Sequence, residues 1–173
     1  MDKIFYEENH NYKFDFTDAI NIFEPHDLSQ KTTMLADADF VLDTESKIIL
    51  LEYKNASGKR VNNPDAFKEK ILGSNNRAEF CKNIAKKFYS TLFLIWACNK
   101  NDEEKDIEYI LLIEHPEIDG RIRKMLRNKI ANQLPFRLLE DTKIKRKILS
   151  EFEVLNMDEW HLKYPKCTIT EIE

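Results

Sequence analysis

Ala38-Asp39-Phe40-Val41-Leu42-Asp43-Thr44-Glu45-Ser46-Lys47-Ile48-Ile49-Leu50-Leu51-Glu52-Tyr53-Lys54 contains two apolar blocks, Phe40 to Leu42 and Ile48 to Leu51, joined by the polar Thr44 to Lys47. Such blocks around a short polar connection predict a β-hairpin. Strand side chains alternate faces, so Glu52 and Lys54 point the same way and Tyr53 the other. With Thr44 to Lys47 as the loop, Val41 opposes Leu50 and Asp39 opposes Glu52. Directly opposed residues have Cβ atoms about 4.5–5.5 Å apart. Two carboxylates at that separation can share one divalent cation, with Lys54 one pleat further along. Asp37 opposes Lys54 in the same register, as an alternative ligand or a partner that orients the lysine. Asp39 is preferred because it faces Glu52 and directly precedes the apolar block.

An acid opening one strand and an acid-x-lysine closing the next resembles the PD-(D/E)XK nuclease superfamily, with its restriction-endonuclease-like fold. Asp39 matches the first acid, Glu52 the second and Lys54 the lysine; Ala38 stands where the motif's proline would be. The resemblance implies an α/β protein, a mixed sheet flanked by helices with an αβββαβ core. It also implies metal-dependent hydrolysis of DNA phosphodiesters, as an endonuclease or nickase in defence or repair. Asp39, Glu52 and Lys54 are then catalytic, and Asp39 and Glu52 hold Mg²⁺ or Mn²⁺, with the Tyr53 carbonyl as a third ligand. The family usually adds an upstream acid, for which Glu8, Asp15, Asp18 and Glu24 compete. The contrasting reading is a catalytically inactive nuclease-fold protein that binds nucleic acid or another protein.

The 173 residues predict a single domain spanning 1–173, and 42% hydrophobic residues suffice for a core. The N-terminal residues lack the basic start and apolar stretch of a signal peptide, and the longest apolar run, Thr91 to Cys98, falls short of a membrane span. A cytoplasmic protein is expected, with DNA as partner, no membrane, and a homodimer or partner protein left open. Three glycines cannot build a Rossmann fingerprint or a phosphate loop. Cys81, Cys98 and Cys167 are widely spaced, as free buried thiols would be, and His10, His26, His115 and His161 show no zinc-binding spacing. The formal net charge is −4, yet Arg121 to Lys147 holds ten basic residues against two acids. That segment nets +8 and the remainder −12, so a phosphate-facing patch and an ordinary solvated helix face both fit.

Along the chain, Tyr12 to Phe16 alternates like a short strand. Asp15 or Thr17 then reads as the cap of a helix ended by Pro25, with Pro25 to Thr33 a loop. Asn55 to Asp65 has loop composition, an exposed excursion beside the hairpin. Asp65 to Leu72 is helical in composition, with a break around Gly73 to Asn76. Ala78, Cys81, Ile84, Ala85 and Phe88 mark a crossover helix over 77–89, which leaves Lys82, Lys86 and Lys87 on other faces. The continuous run Thr91 to Cys98 predicts a strand buried on both faces, which would pack Trp96. A second strand follows at 107–114. Ile118 to Gln133 reads as a helix with Ile118, Ile122, Met125, Leu126 and Ile130 inward and Arg121, Lys124 and Arg127 outward. A strand near Phe152 to Leu155 precedes a helix with an Asn156/Glu159 capping box, which Pro165 closes and which packs Trp160.

Overall fold

The hairpin forms in the expected register. The computed structural model describes residues 3–7, 10–55 and 64–172. Its elements are strands β1 (Ile4–Tyr6), β2 (Tyr12–Asp15) and β3 (Asn21–Phe23), helix α1 (His26–Ser29), strands β4 (Phe40–Asp43) and β5 (Lys47–Asn55), helices α2 (Pro64–Leu72) and α3 (Ser74–Ala97), strand β6 (Asp106–Glu114), helix α4 (Gly120–Ala131), a 3-10 turn (Pro135–Glu140), strand β7 (Glu151–Leu155), helix α5 (Met157–Lys163) and strand β8 (Thr168–Glu171). Val41 pairs with Leu50 and Phe40 with Leu51, which carries Asp39 opposite Glu52.

A five-stranded mixed sheet, ordered β3-β4-β5-β6-β7, organises the molecule. β3, β4 and β5 run antiparallel; β5, β6 and β7 run parallel. Parallel neighbours need a crossover, supplied by α2 and α3 between β5 and β6 and by α4 between β6 and β7. These helices cover one face, where Ile48, Leu50, Ile107, Tyr109 and Leu111 pack against Ile84, Phe88, Leu92, Ile95, Leu126 and Ile130. The other face packs Ile49, Leu51, Ile110 and Leu112 against Phe14, Phe16, Trp160 and Ile169, contributed by a small β1-β2-β8 sheet and α5. β5 and β6 are covered on both faces, which is why both read as nearly continuous apolar runs.

Two expected elements are overturned. The first is the strand over 91–98, which is the last third of α3. Phe88, Leu92 and Ile95 continue the inward stripe of Cys81, Ile84 and Ala85 at helical spacing, so the periodicity persists through the apolar run. Phe93 and Trp96 fall on the outer side and are exposed, so Trp96 is not the packed residue expected. Among the described residues no helix is both long and apolar enough to cross a membrane.

The second is the helix over 15–23, where a turn leads into the edge strand β3 instead. The Asp15 carboxylate accepts from the Thr17 N–H at 3.1 Å and the Thr17 hydroxyl at 2.5 Å. An Asx turn thus uses the side chain that would have capped a helix. The Ile20 N–H donates to the Asp43 carbonyl at 2.7 Å, which feeds the chain into pairing with β4. Pro25 sits before the single helical turn α1, within the expected loop.

Elsewhere the expectations meet the structure closely. α2 and α3 are separated at Gly73, which holds an extended conformation (φ −66°, ψ 125°). α4 starts two residues later than expected because Asp119 caps it, accepting from the N–H groups of Arg121 and Ile122. The capping box at α5 is present, with both Asn156 and Glu159 engaged. Trp160 is buried, Cys81 and Cys167 are buried free thiols, and Cys98 is half-buried. Most of the expected excursion, residues 56–63, lies outside the described residues.

Candidate functional site

β5 is buried on both faces through Tyr53, and an acid within such a strand needs partners. Glu52 points to the helical side of the sheet and is fully buried. Its Oε1 receives Lys54 Nζ at 2.5 Å and Lys87 Nζ, from α3, at 2.7 Å. Its Oε2 is buried without a hydrogen-bond partner among the described residues. Asp39 stands across from it, half-buried, with Oδ2 fixed by the Tyr53 N–H at 2.7 Å. The preceding Ala38 N–H donates to Thr91 Oγ1 at 2.9 Å. The helical form of residues 91–97 therefore positions Asp39, since it puts a buried hydroxyl where the chain enters β4.

Asp37 is engaged elsewhere. Ser29 Oγ donates to its Oδ1 at 2.5 Å, and His26 Nδ1 lies 3.1 Å from its Oδ2, so α1 holds it while Asp39 faces Glu52. Its charge still reaches Lys54.

Burial first, and the Asp39 charge second, push the Glu52 carboxyl above its ordinary range, while Lys54 and Lys87 pull it back. Burial also acts most strongly on Lys54, against its ammonium, but Glu52, Asp39 and Asp37 together outweigh it and raise Lys54 above its usual value. The cluster thus holds a charged Lys54 beside a carboxylate under strain from desolvation. Beneath it, the Tyr109 hydroxyl donates to the Ile84 carbonyl at 3.0 Å, and burial keeps that phenol neutral.

Asp39 and Lys54 also line a cleft of about 330 Å³, together with Tyr6, Glu7, Phe14, Phe40, Tyr53 and Asn55, while Glu52 stays buried behind them. Glu7, just after β1, is the upstream acid that shares this cleft, and the sequence reading passed over it. None of the four expected candidates does so among the described residues. Asp15 is bound to Thr17, Asp18 lines a different cleft with Cys167, Glu24 lies near Asp27, and Glu8 is outside the described residues. Lys87 was also missed. It falls on a polar face of a regular helix, and nothing in the local pattern marks that face as the one over Glu52. Tyr53 packs in the core, with its ring 5.0 Å from that of Phe14 at 90°.

The ten basic residues of the 121–147 segment do not line this cleft. Arg121, Lys124 and Arg127 are exposed on α4, as expected. Arg123 pairs with Glu159 at 2.9 Å and Lys147 with Asp106 at 2.8 Å.

No family model matches the chain, and searches of curated proteins and of solved structures returned no match. Among the described residues no three or more histidine, cysteine, aspartate or glutamate side chains form a group that could hold a metal ion. The carboxylates that stand together at this site are Asp39 and Glu52. An unpartnered anionic oxygen at Glu52 and a fixed, half-buried carboxylate at Asp39 fit a hard cation that keeps most of its waters, as Mg²⁺ does.

Proposed function

We propose that the protein is a Mg²⁺- or Mn²⁺-dependent nuclease that hydrolyses DNA phosphodiester bonds, with Asp39, Glu52 and Lys54 as its catalytic residues. The observation that carries this reading is the placement of Asp39, Glu52 and Lys54 together on the helical side of β4 and β5, with Asp39 and Lys54 lining a cleft and Glu52 Oε2 lacking a partner among the described residues. The element order supports a restriction-endonuclease-like core. β3 extends the hairpin, α3 crosses over to β6, and β7 follows α4.

Asp39 and Glu52 would hold the cation, which supplies charge neutralisation at the phosphoryl oxygens and a more acidic water. The Tyr53 N–H holds Asp39 Oδ2, which fixes the carboxylate at the cleft wall. Lys54, kept protonated by the surrounding carboxylates, donates to the phosphoryl oxygen on which charge develops or orients the attacking water. Lys87 joins Lys54 on Glu52 Oε1, which fixes the carboxylate and leaves Oε2 unpaired among the described residues.

The test is incubation of purified protein with single-stranded and duplex DNA plus Mg²⁺ or Mn²⁺. Cleavage is expected for the wild type. Asp39→Asn and Lys54→Ala should each abolish it while circular dichroism stays unchanged. Activity that survives both substitutions refutes the assignment.

A second reading has its own observation. A fully buried carboxylate carrying two ammonium groups on one oxygen is also what a structural charge cluster looks like. Under that reading the protein is an inactive module that binds nucleic acid or a protein. Calorimetry that detects no Mg²⁺ or Mn²⁺ binding selects it. Salt-sensitive DNA binding without cleavage, lost on charge reversal at Arg121, Lys124 and Arg127, places the contact on α4.

A further inference from the structure

Lys54 is the shared wall of two clefts. The second, about 400 Å³, lies along α2 and α3 and is lined by Lys54, Phe67, Lys70, Asn76, Glu79, Phe80, Asn83, Ile84 and Lys87. Its floor is apolar. Phe80 and Ile84 are buried, and Phe67 meets Phe80 edge-on with ring centroids 6.4 Å apart. Its rim is polar, with Lys70, Asn76, Glu79 and Asn83 exposed. At the end nearest Glu52 stand Lys54 and Lys87, whose side chains keep 31% and 25% of their surface in solvent. Three ammonium groups against one carboxylate make the lining cationic.

We propose that this cleft is a nucleotide subsite, taking one unpaired nucleotide of a single strand or frayed end beside the scissile phosphate. The proposal rests on the nuclease reading, because Lys54 lines both clefts and Lys87 pairs with Glu52. The phosphate lies at Lys54 and Lys87, where two cations converge at the border with Asp39 and Glu52. The base lies on the Phe67 and Phe80 floor, since aromatic side chains stack any base without reading its identity. The Asn76 and Asn83 carboxamides each offer a donor and an acceptor to a base edge, which is accessible only when the base is unpaired. The volume suits this occupant. Small-ligand pockets begin near about 300 Å³, so this cleft holds one nucleotide rather than a base pair. Bound phosphate alone would need the lysines but leave the aromatic floor bare.

The experiment is calorimetry on the full chain in chelator, with thymidine 5′-monophosphate, inorganic phosphate, thymidine, and a short single strand and its duplex as probes. The monophosphate should bind about tenfold more tightly than phosphate or thymidine, and the single strand more tightly than the duplex. Phe67→Ala and Asn83→Ala should each weaken the monophosphate by about tenfold, toward the low end of base stacking. Asn83 is exposed, so its substitution tests the site even if Phe67→Ala disturbs the packing against Phe80. Equal affinity for inorganic phosphate, a preference for duplex, or unchanged binding in Asn83→Ala overturns the subsite. Because no cation is present, these outcomes leave the nuclease reading standing. Conversely, a wild type that binds the monophosphate but neither binds Mn²⁺ nor cleaves DNA retains the subsite and loses the catalytic assignment.

Discussion

Two charge clusters interrupt the same sheet, and they differ in what they leave unpaired. Glu52 projects from β5 toward the helices. Glu108 projects from β6 toward α5, near the start of that strand. Both are buried carboxylates. Glu108 receives Lys47 Nζ on Oε1 at 2.5 Å and the Tyr164 hydroxyl on Oε2, so both oxygens are satisfied. Around it Lys163 bridges Glu151 at 2.6 Å and Glu153 at 3.0 Å. Glu52 has both these cations on one oxygen and, among the described residues, no partner on the other. A saturated cluster fixes α5 against the sheet, whereas an unsaturated one beside a cleft has capacity for a ligand. Hydrogen-bond satisfaction, rather than residue type, distinguishes the two clusters.

The largest expected contrast is in catalysis. Glu52→Gln should reduce Mg²⁺-dependent DNA cleavage by at least about a hundredfold, the scale of losing one electrostatic contact in a transition state. Glu108→Gln should leave cleavage within a few-fold. Gel assays on both variants at matched folding check this, and equal losses would erase the distinction.

Stability should invert the order. Removing one partner of a saturated buried cluster strands the others, at a cost of about 3–5 kcal/mol. Glu108→Ala should therefore be strongly destabilised in denaturant unfolding. Glu52→Gln should be affected less, because the substitution keeps the side-chain shape and relieves a desolvated charge.

The pH dependences should have opposite signs. Glu52 is raised above its ordinary value of 4.5, so the folded state holds its proton more tightly than the unfolded state. Its contribution to stability falls as pH rises from that ordinary value through the folded one. Glu151 is lowered, through its hydrogen bond from Lys163 first, against some desolvation. Its contribution is present above the ordinary carboxylate value and is lost as pH falls through the folded one. The stability of wild type relative to Glu52→Gln should thus decrease with rising pH, and relative to Glu151→Gln increase. Urea unfolding from mildly acidic to neutral pH measures both slopes, and slopes of the same sign would break the comparison.

The smallest effect concerns the scaffold of the saturated cluster. Asn156→Ala removes the cap of α5, which carries Lys163 and leads into Tyr164, and should cost about 1 kcal/mol. Mn²⁺ affinity at the Asp39–Glu52 pair, followed by calorimetry, should not change.

Much of the candidate site was legible because it depends on local pattern. The hairpin register follows from two apolar blocks and a polar turn, and a period of two puts Asp39, Glu52 and Lys54 on one face. The position of Asp39 opposite Glu52 was also readable, from the hairpin register. The roles of Glu7 and Lys87 were not. Glu7 reaches the cleft through the β1–β2 hairpin and Lys87 through the crossover helix, and no spacing links either to Glu52. The continuous run from Thr91 to Cys98 misled for a related reason. Such a run fits a strand covered twice or a helix whose outer residues stay exposed, and the persistent spacing of Phe88, Leu92 and Ile95 was the cue that distinguished them.

The sequence by itself determined the β4–β5 pairing, a strand over 107–114, the helix α4, the capping box of α5, and the absence of the glycine motifs that bind nucleotide cofactors. These rest on interactions between residues close in the chain, where periodicity and capping act directly. Tertiary structure alone decided that residues 15–23 make a turn and an edge strand, that residues 91–97 extend a helix, that Lys87 pairs with Glu52 and that Glu7 lines the cleft with Asp39. Each of those depends on which distant surface a segment meets. Pairing with β4 supplies hydrogen bonds to residues 20–23 that a short isolated helix would not match, and burial against the sheet selects which side of α3 faces the charge.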